Sequence, residues 1–183
     1  MFKLDKNLKI VDVGCGFGET LKVLRERGYK NISGVEPDLV CRNACLKDGL
    51  KVSAGTISKT GLSNAYADVV IVNQVFHHIN NFNEAVEELS RILKPNGILC
   101  FLEPSHTILR KSMDFFTFKT SLPKYLSFMK TRYEVMSLEM ATGNYPNFLN
   151  SQPDFQKALK QHFTKLWHRD SWFFQFGKYR KKK

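Results

Sequence analysis

The stretch VDVGCGFGET, residues 11–20, decides how the rest of this sequence is interpreted. It overlaps the apolar run LKIVDV and places three glycines, Gly14, Gly16 and Gly18, at alternate positions. The apolar run predicts a short β-strand, and the glycines predict a tight loop at its end whose backbone another molecule can approach closely. The first question is therefore what binds beside this loop.

The pattern around the loop alternates between strands and helices as far as residue 104. Strand signals occur in ISGVEP, weakly in LKVSA, in the β-branched run ADVVIVNQV and in GILCFLEP, with helical signals between them. One predicted helix is FNEAVEELSRILKPNG, stopped by Pro95 and Gly97. This alternation predicts an α/β fold with a doubly wound, parallel, Rossmann-like sheet, which binds ligands at the carboxyl ends of its strands.

The spacing of the glycines argues against two common phosphate-binding loops. The dinucleotide-binding fingerprint is GxGxxG, whereas here the third glycine comes one residue early and Glu19 stands where that pattern requires glycine. A Walker loop ends in GK[ST], and no such sequence follows. A glycine-rich turn that only connects two elements is the alternative that the loop by itself leaves open.

Two motifs in register carry a resemblance to a known family. The first is DVGCGFG, residues 12–18, and the second is GVEPD, residues 34–38, at the end of the second predicted strand. Together they resemble the class I S-adenosylmethionine-dependent methyltransferases, and in particular the type 11 methyltransferase-like domain. The similarity covers about residues 8–104 and continues through 68–70, 73–78 and 93–97.

The resemblance implies a seven-stranded, mostly parallel sheet that ends in an antiparallel C-terminal hairpin. It also implies one methyltransferase domain over residues 1–183, made of a cofactor-binding core at 1–104, a helical substrate-cap insertion at 105–150, and a terminal helix and β-hairpin at 151–183. Ser151 is a candidate N-cap of the terminal helix. The basic tail from Lys178 is expected to be frayed.

The cofactor implied by the resemblance is S-adenosylmethionine, an adenosine joined through a sulfonium to an amino acid. Asp12 is expected to hold the loop and the ligand's ammonium group, and Glu36 to accept both ribose hydroxyls. The family often has an acidic residue near the adenine, but this sequence has AGTI there, so Thr56 or the backbone must substitute. The predicted cofactor-binding residues are Asp12, Gly14, Cys15, Gly16, Gly18, Glu36, Pro37, Thr56, Ile57 and Asn73.

A hydroxyl acceptor would need a general base, and an imidazole titrates in the useful range. Four residues after the fourth and fifth strands are candidates, namely His77, His78, Glu103 and His106. Because the second histidine of such a pair often serves the core in this family, the predicted catalytic residues are His77 and His106. No DH or HxH pattern accompanies Glu103, so no metal site is predicted.

Region 105–150 is the part least similar to the family. The positive charge is concentrated from residue 105 onward, where the chain has 15 Lys and Arg and 5 Asp and Glu. Residues 1–104 have 13 Lys and Arg and 12 Asp and Glu. Pro123 breaks an amphipathic stretch whose apolar positions are Phe115, Phe118, Leu122, Leu126, Met129 and Tyr133, with Lys119, Lys124, Lys130 and Arg132 between them. Either a helix pair packs these aromatics inward, or a basic, aromatic cap covers an apolar or anionic acceptor.

The predicted function is methylation of a small-molecule or lipid-linked acceptor, with an oxygen of a glycan-pathway metabolite as the target. The alternatives are carbon methylation of a quinone precursor, a cofactor-binding homologue without turnover, and a nucleic-acid-binding module, which is disfavoured because no RRM or HTH signature occurs. Peripheral contact with an anionic membrane surface is also considered.

The N-terminal stretch MFKLDKNLKIVDV interrupts its apolar runs with charges, so neither a signal peptide nor a membrane span is predicted, and the expected location is cytoplasmic. The four cysteines lack zinc spacing and are expected to be reduced. Only about eight residues precede the first strand, whereas the family usually has helices there. Three explanations are open: the insertion at 105–150 provides the lid of the site, the site is unusually open, or the chain is a shortened form. The sequence does not decide between them, and it does not determine the oligomeric state.

Overall fold

The computed structural model describes residues 5–183, with the side chains of residues 135, 138, 139 and 142 left out of the description. Residues 1–4 belong to the stretch in which no signal peptide is predicted, and they lie outside the described residues. The elements below are numbered in chain order.

One seven-stranded sheet has the order β3-β2-β1-β4-β5-β7-β6. The first five strands in the chain pair in parallel, whereas β7 is antiparallel to both β5 and β6. This confirms the predicted mostly parallel sheet with an antiparallel hairpin. The strands are β1 Ile10–Val13, β2 Ile32–Val35, β3 Val52–Ser53, β4 Ala67–Asn73, β5 Leu93–Pro104, β6 Phe163–Asp170 and β7 Phe174–Lys181.

Seven α-helices and two short 3-10 helices accompany the sheet in the described part of the chain. The α-helices are α1 Glu19–Glu26, α2 Leu39–Lys47, α3 Phe82–Ile92, α4 Ile108–Phe118, α5 Ser127–Thr142, α6 Asn144–Asn150 and α7 Gln152–His162. The 3-10 helices are Phe76–His78 and Leu122–Lys124. The segment 105–150, which contains α4 to α6, is called the cap below. Pro123 lies in the break between α4 and α5, as the sequence predicts.

The helix predicted to reach Pro95 ends earlier, at Ile92. Leu93 is already extended and fully buried, and it pairs with Ala67 as the first residue of β5. Lys94 precedes a proline, and that position disfavours helical backbone angles. The chain therefore enters the strand directly, and Pro95 and Gly97 lie inside β5 rather than between two elements.

Two further predictions concern the C-terminal part of the chain, namely the N-cap at Ser151 and the frayed tail from Lys178. Ser151 occupies the N-cap position of α7 but makes no side-chain cap hydrogen bond. The tail predicted to be frayed is part of β7 as far as Lys181, whose Nζ donates to the carbonyl of Leu93 at 2.7 Å. In this strand Gln175, Gly177 and Tyr179 are buried on one face, whereas Phe176 and Arg180 are exposed on the other.

The core lies between the sheet and α3 and α7. The rings of Phe76, Phe101 and Phe155 pack together with centroid distances of 4.7 to 5.9 Å. All three side chains are almost completely buried. Burial of a phenylalanine side chain stabilises a fold by roughly 1.5–3 kcal/mol, so this cluster fixes the ends of β4 and β5 relative to α7.

The cap buries only part of its predicted apolar stripe. Met129 is buried and Phe118 packs against the core, but Phe115, Leu126 and Tyr133 are exposed. The aromatic side chains of the cap therefore point both inward and outward. Contact of the protein with an anionic membrane surface stays a prediction. Among the described residues, no helix is both long and apolar enough to cross a membrane.

Candidate functional site

The glycine loop connects β1 to α1 and needs glycine for two separate reasons. At Gly14 the backbone has φ +76°, and an added Cβ would collide with Cγ2 of Val75. At Gly16 φ is +51°, yet an added Cβ would meet no atom within 4 Å. Residues with a side chain rarely adopt these backbone angles. At Gly14 the neighbouring Val75 also leaves no room for a Cβ atom. The space beside Gly16 is open, as a loop that passes close to a ligand requires.

The loop forms one wall of a cleft of about 460 Å³ at the carboxyl ends of β1, β2 and β4. The strand order reverses between β1 and β4, and open α/β sheets bind ligands at such a point. The cleft is lined by Gly14, Gly16, Glu36, Pro37, Thr56, Ile57, Gln74, Val75, His78 and Ile79. Six of these are predicted cofactor-binding residues; Gln74, Val75 and Ile79 are not among the predicted ones, although Gln74 and Val75 lie in the segment 73–78 that shares the family resemblance.

Four predicted cofactor-binding residues do not line this cleft, namely Asp12, Cys15, Gly18 and Asn73. Gly18 caps α1 with φ +78°, and an added Cβ would lie 2.5 Å from Cδ1 of Leu50. Cys15 is buried beneath the loop, and its burial raises the pKa of the thiol, so the side chain is neutral. These two residues shape the loop from behind.

The carboxylate of Glu36 is held by the backbone at the end of β2. Its Oε2 accepts from the amide of Gly16 at 2.8 Å, and its Oε1 accepts from the amide of Asp38 at 3.0 Å. Each carboxylate oxygen can accept a second hydrogen bond. Glu36 is only 8% exposed, and it lines the cleft.

Asp12 is a buried acid behind the loop, and its Oδ1 has no hydrogen-bond partner among the described residues. Burial raises the pKa of this carboxyl to about 7, a hydrogen bond from the Thr20 side chain lowers it, and the charge of Glu36 raises it. A buried carboxylate is stabilised by a nearby cation. An acidic site of this kind fits a cofactor that carries an ammonium and a sulfonium group.

The start of α1 fits the remaining charge of that cofactor. The helix begins at Glu19, and its N-cap residue Gly18 offers no side-chain acceptor to the first amide groups. Amide N–H groups at a helix N-terminus bind anions such as a carboxylate. The acidic residues and the open space beside Gly16 thus fit S-adenosylmethionine. That Asp12 would face its ammonium group, Glu36 its ribose and the α1 amides its carboxylate stays a prediction.

The two adjacent histidines of the 3-10 helix after β4 differ in burial, although their ring centroids lie only 4.1 Å apart. The resemblance predicts that the second histidine serves the core, but the structure has the reverse: His77 is 1% exposed, whereas His78 is exposed and lines the cleft.

Glu103 organises this turn from the end of β5. It is completely buried, its Oε1 accepts from the amides of Val75 and Phe76 at 2.7 and 2.8 Å, and its Oε2 lies 2.7 Å from Nδ1 of His77. Nδ1 of His77 then carries the proton that it donates to the carboxylate, which fixes the tautomer and the ring orientation.

A second cavity, of about 440 Å³, lies between this turn and the cap, and is called the cap cavity. It is lined by Gln74, His77, Pro104, Arg110, Phe128, Thr131, Arg132, Met136 and Phe174. Gln74 lines both the cleft and the cap cavity, so the two spaces are adjacent. Its φ of +57° is unusual for a residue with a side chain, and such backbone angles concentrate at functional sites.

The cap is anchored to the same turn. The Asn144 side chain donates to the carbonyl of His78 at 3.1 Å, and the rings of Tyr145 and Phe148 lie 6.1 and 6.3 Å from the ring of His77. All three residues belong to α6, so this helix connects the cap to the turn after β4.

His106, the other predicted catalytic residue, lines neither space. It is exposed and borders a third cavity of about 360 Å³ with Gln156, His168 and Asp170. Burial lowers its pKa, and the charge of Lys111 lowers it further. The largest of these cavities, about 620 Å³, lies inside the cap around Thr117 and shares no lining residue with the cleft. Only His77 and His78 of the candidate histidines border the cleft or the cap cavity.

No group of three or more His, Cys, Asp or Glu side chains that could hold a metal ion occurs within the described residues. That the protein has no metal site stays a prediction.

Residues 11–101 match the family described as "Methyltransferase domain". Over 96 residues the chain is 33% identical to a ubiquinone biosynthesis O-methyltransferase of Rickettsia canadensis, a match that covers 50% of this chain and 40% of that protein. Over 111 residues it is 26% identical to a ubiquinone/menaquinone biosynthesis C-methyltransferase of Campylobacter jejuni, covering 55% and 46%. The chain spans less than half the length of these curated relatives.

A solved structure shows the same fold over nearly the whole chain. A TehB-like SAM-dependent methyltransferase from Corynebacterium glutamicum superposes with a TM-score of 0.66 at 14% identity, covering 98% of this chain and 83% of the other. The matched segment 11–101 contains the glycine loop and Glu36. The chain therefore belongs to the class I S-adenosylmethionine-dependent methyltransferases, whose cofactor fits the acidic cleft between β1 and β4.

Proposed function

We propose that the chain methylates an oxygen atom of a small or lipid-linked acceptor that is held in the cap cavity. The observation that carries this proposal is the His77–Glu103 pair at the wall of the cap cavity, next to Gln74, which borders the cofactor cleft as well. A hydroxyl acceptor needs a base in addition to alignment, and this pair supplies one.

The chemistry is an in-line displacement. When bound, S-adenosylmethionine would supply an electrophilic methyl group on a sulfonium, whose sulfur would leave as a neutral thioether as the acceptor oxygen takes the methyl group. His77 takes the hydroxyl proton on Nε2, since Nδ1 already donates to Glu103. Glu103 stabilises the resulting imidazolium, as the carboxylate does in other carboxylate–histidine pairs.

The architecture supports a single domain for the three parts of the chain. β5, from the cofactor-binding core, pairs along its length with β7 of the terminal part, from Ile98 opposite Arg180 to Pro104 opposite Phe174. The cap is inserted between these two strands. We therefore propose one methyltransferase domain in which the cap contributes the acceptor side of the site.

The test is a comparison of turnover and cofactor binding in the variants His77→Ala, Glu103→Gln and His106→Ala. Release of S-adenosylhomocysteine is measured with catechols, nucleotide sugars and naphthoquinols as acceptors. His77→Ala should lower kcat by about 10²–10⁴-fold, the usual contribution of a general base, without changing the affinity for S-adenosylhomocysteine. Glu103→Gln should lower kcat less.

His106→Ala distinguishes the two histidines predicted from the sequence. Loss of turnover in His106→Ala with full turnover in His77→Ala would contradict the assignment of the base. Binding of S-adenosylmethionine without release of S-adenosylhomocysteine for every acceptor would instead favour a cofactor-binding homologue without turnover.

Carbon methylation of a quinone precursor is the second candidate function. The relative from Campylobacter jejuni is a C-methyltransferase, and the relative from Rickettsia canadensis is an O-methyltransferase. Transfer of a ¹³C-labelled methyl group separates the two outcomes, because the carbon chemical shifts of O-methyl and C-methyl products differ widely. An O-methyl signal on a nucleotide sugar would support the glycan-pathway acceptor that the sequence predicts.

A further inference from the structure

We infer that the cap cavity selects acceptors that carry an anionic group, a carboxylate or a phosphate, beside an apolar body, and that Arg132 together with Arg110 binds this group. The inference rests on the proposed function, in which the cap cavity holds the acceptor. It names the chemical class of the acceptor and the residues that determine the selection.

The walls of the cap cavity combine apolar surface with two guanidinium groups. Four lining residues are apolar, namely Pro104, Phe128, Met136 and Phe174. Two others, Arg110 and Arg132, carry a positive charge that does not depend on pH. Ligand sites in proteins typically have this composition, mainly apolar walls with a few polar groups that fix the orientation. The volume of about 440 Å³ also lies within the usual range of roughly 300–1,000 Å³ for such sites.

Arg110 is held rigidly by its neighbours. It is 4% exposed, its Nε donates to the hydroxyl of Tyr145 at 2.6 Å, and its Nη1 donates to the carbonyl of Phe173 at 3.0 Å. The guanidinium lies 5.2 Å from the centre of the Tyr145 ring and 5.9 Å from that of Phe174. A fixed guanidinium loses little conformational entropy when an anion binds.

Arg132 shares a single carboxylate with Arg110. Asp114 accepts from Nη2 of Arg132, lies 3.7 Å from Nε of Arg110, and accepts from the hydroxyl of Tyr145 at 3.1 Å. Nε of Arg132 donates to Thr117 at 3.2 Å. Each guanidinium has five N–H groups, and the hydrogen bonds within the described part of the chain engage only some of them. Donors therefore remain for an incoming anion.

The charges of this network are not balanced by its described members. Two guanidinium groups face one carboxylate, and burial raises the pKa of Tyr145 to about 12, so its hydroxyl is neutral and does not act as a second anion. Glu103 is directed at His77 and at the amides of the turn. Partly buried cations are stabilised by a bound anion that replaces lost hydration. Carboxylate and phosphate both match the fork of a guanidinium.

The experiment measures binding of benzoate and phenylphosphonate, with benzamide as the neutral counterpart of benzoate. Each probe is titrated calorimetrically at low ionic strength into the full chain, with and without S-adenosylhomocysteine. The protein should bind the anionic probes about tenfold or more tightly than benzamide, because charge-assisted hydrogen bonds exceed neutral ones by that order. The ratio between benzoate and phenylphosphonate shows which anion the cavity takes.

Three variants assign the effect to the network. Arg132→Gln should reduce the preference for the anion to about threefold or less, whereas Asp114→Asn should increase it, since the internal competitor for the guanidinium groups is removed. Lys130→Gln is the matched control: it removes the same charge from the same helix, but Lys130 is exposed and does not line the cap cavity. It should leave the preference unchanged. Thermal unfolding checks that each variant is folded.

The inference is overturned by equal binding of benzoate and benzamide, by failure of both anions to bind at millimolar concentration, or by an unchanged preference in folded Arg132→Gln. The titrations with S-adenosylhomocysteine separate this failure from that of the proposed function. Cofactor binding with no anion preference removes only the inference. Anion binding that depends on Arg132 in a chain that binds no S-adenosylhomocysteine removes the proposed function and leaves the anion site in place.

Discussion

The cofactor cleft and the cap cavity are adjacent, but they are built from different material and have opposite charge. The cleft consists of strand ends and backbone; the acid Glu36 lines it, and a second acid, Asp12, lies buried behind its glycine loop. The cap cavity consists mainly of helical side chains, and Arg110 and Arg132 make it basic. Only Gln74 belongs to both linings.

This difference teaches how two ligands can be sorted within one site. A cofactor with an ammonium and a sulfonium group is favoured in the acidic cleft, and an anionic acceptor is disfavoured there, because like charges in a partly buried site repel strongly. The cap cavity has the reverse preference. Two acids illustrate the contrast: buried Asp12 has an oxygen without a described partner, whereas the partly exposed Asp114 contacts two guanidinium groups.

The largest expected effect tests whether the cleft depends on backbone rather than on side chains. Gly14→Ala should cost about 2–5 kcal/mol, the sum of an unfavourable left-handed angle and a close contact with Val75. If the loop moves instead of the chain unfolding, this cost appears as lost affinity for S-adenosylhomocysteine. Calorimetric titration and thermal unfolding of the same samples measure both parts.

Gly28→Ala is the matched control for this prediction. Gly28 has a similar φ of +81°, but an added Cβ there would meet no atom within 4 Å, and the residue does not line the cleft. It should lose some stability and no cofactor affinity. Equal losses of affinity in the two variants would mean that backbone strain alone explains the glycines, without a specific role for the crowding at Gly14.

The next effect tests whether the acidity of the cleft destabilises the empty protein. The pKa of Asp12 is raised from 3.8 to about 7, so its neutral form is favoured in the folded state, and this contribution to stability is present below 3.8 and is lost as pH rises through about 7. Asp12→Asn stays neutral. Between about pH 4 and about pH 8 the wild type should therefore lose about 2–4 kcal/mol of unfolding free energy relative to Asp12→Asn.

Urea unfolding of both proteins across this pH range measures the difference. Near the upper end, S-adenosylmethionine should stabilise the wild type more than Asp12→Asn, because its ammonium group compensates the buried carboxylate. Parallel pH profiles for the two proteins would contradict the raised pKa of Asp12. They would also remove the contrast between Asp12, an acid behind the cleft without a compensating cation, and Asp114 in the cap, which two guanidinium groups compensate.

The smallest of these effects concerns ribose recognition. Glu36→Ala should weaken binding of S-adenosylhomocysteine by about 1.5–3 kcal/mol, because it removes a charged acceptor that two backbone amides hold in place. Glu19→Ala also removes a carboxylate near the loop, but this side chain is exposed and pairs with Lys22, so the affinity should stay unchanged. Unchanged affinity in Glu36→Ala would mean that β2 is not in the register assumed for the ribose.

The sequence by itself determined the sheet and most of the cleft. Alternating strand and helix signals predicted the parallel sheet, and the glycine loop with GVEPD identified four of the ten residues that line the cleft; the family resemblance added Thr56 and Ile57. These residues are recognisable because their roles are set by backbone geometry, which restricts the residue type at each position. The four other predicted residues include Cys15 and Gly18, which shape the loop from behind and carry the same local signal.

Only the tertiary structure decided the surroundings of the side chains. Which of His77 and His78 is buried depends on a 3-10 turn and on Glu103, which lies 26 residues from His77. The cap cavity joins Gln74, Arg110 and Phe174 from distant parts of the chain, and no local pattern marks such a meeting. Local sequence restricts backbone angles and periodicity, whereas the charge and shape of a cavity arise from contacts between segments that are far apart in sequence.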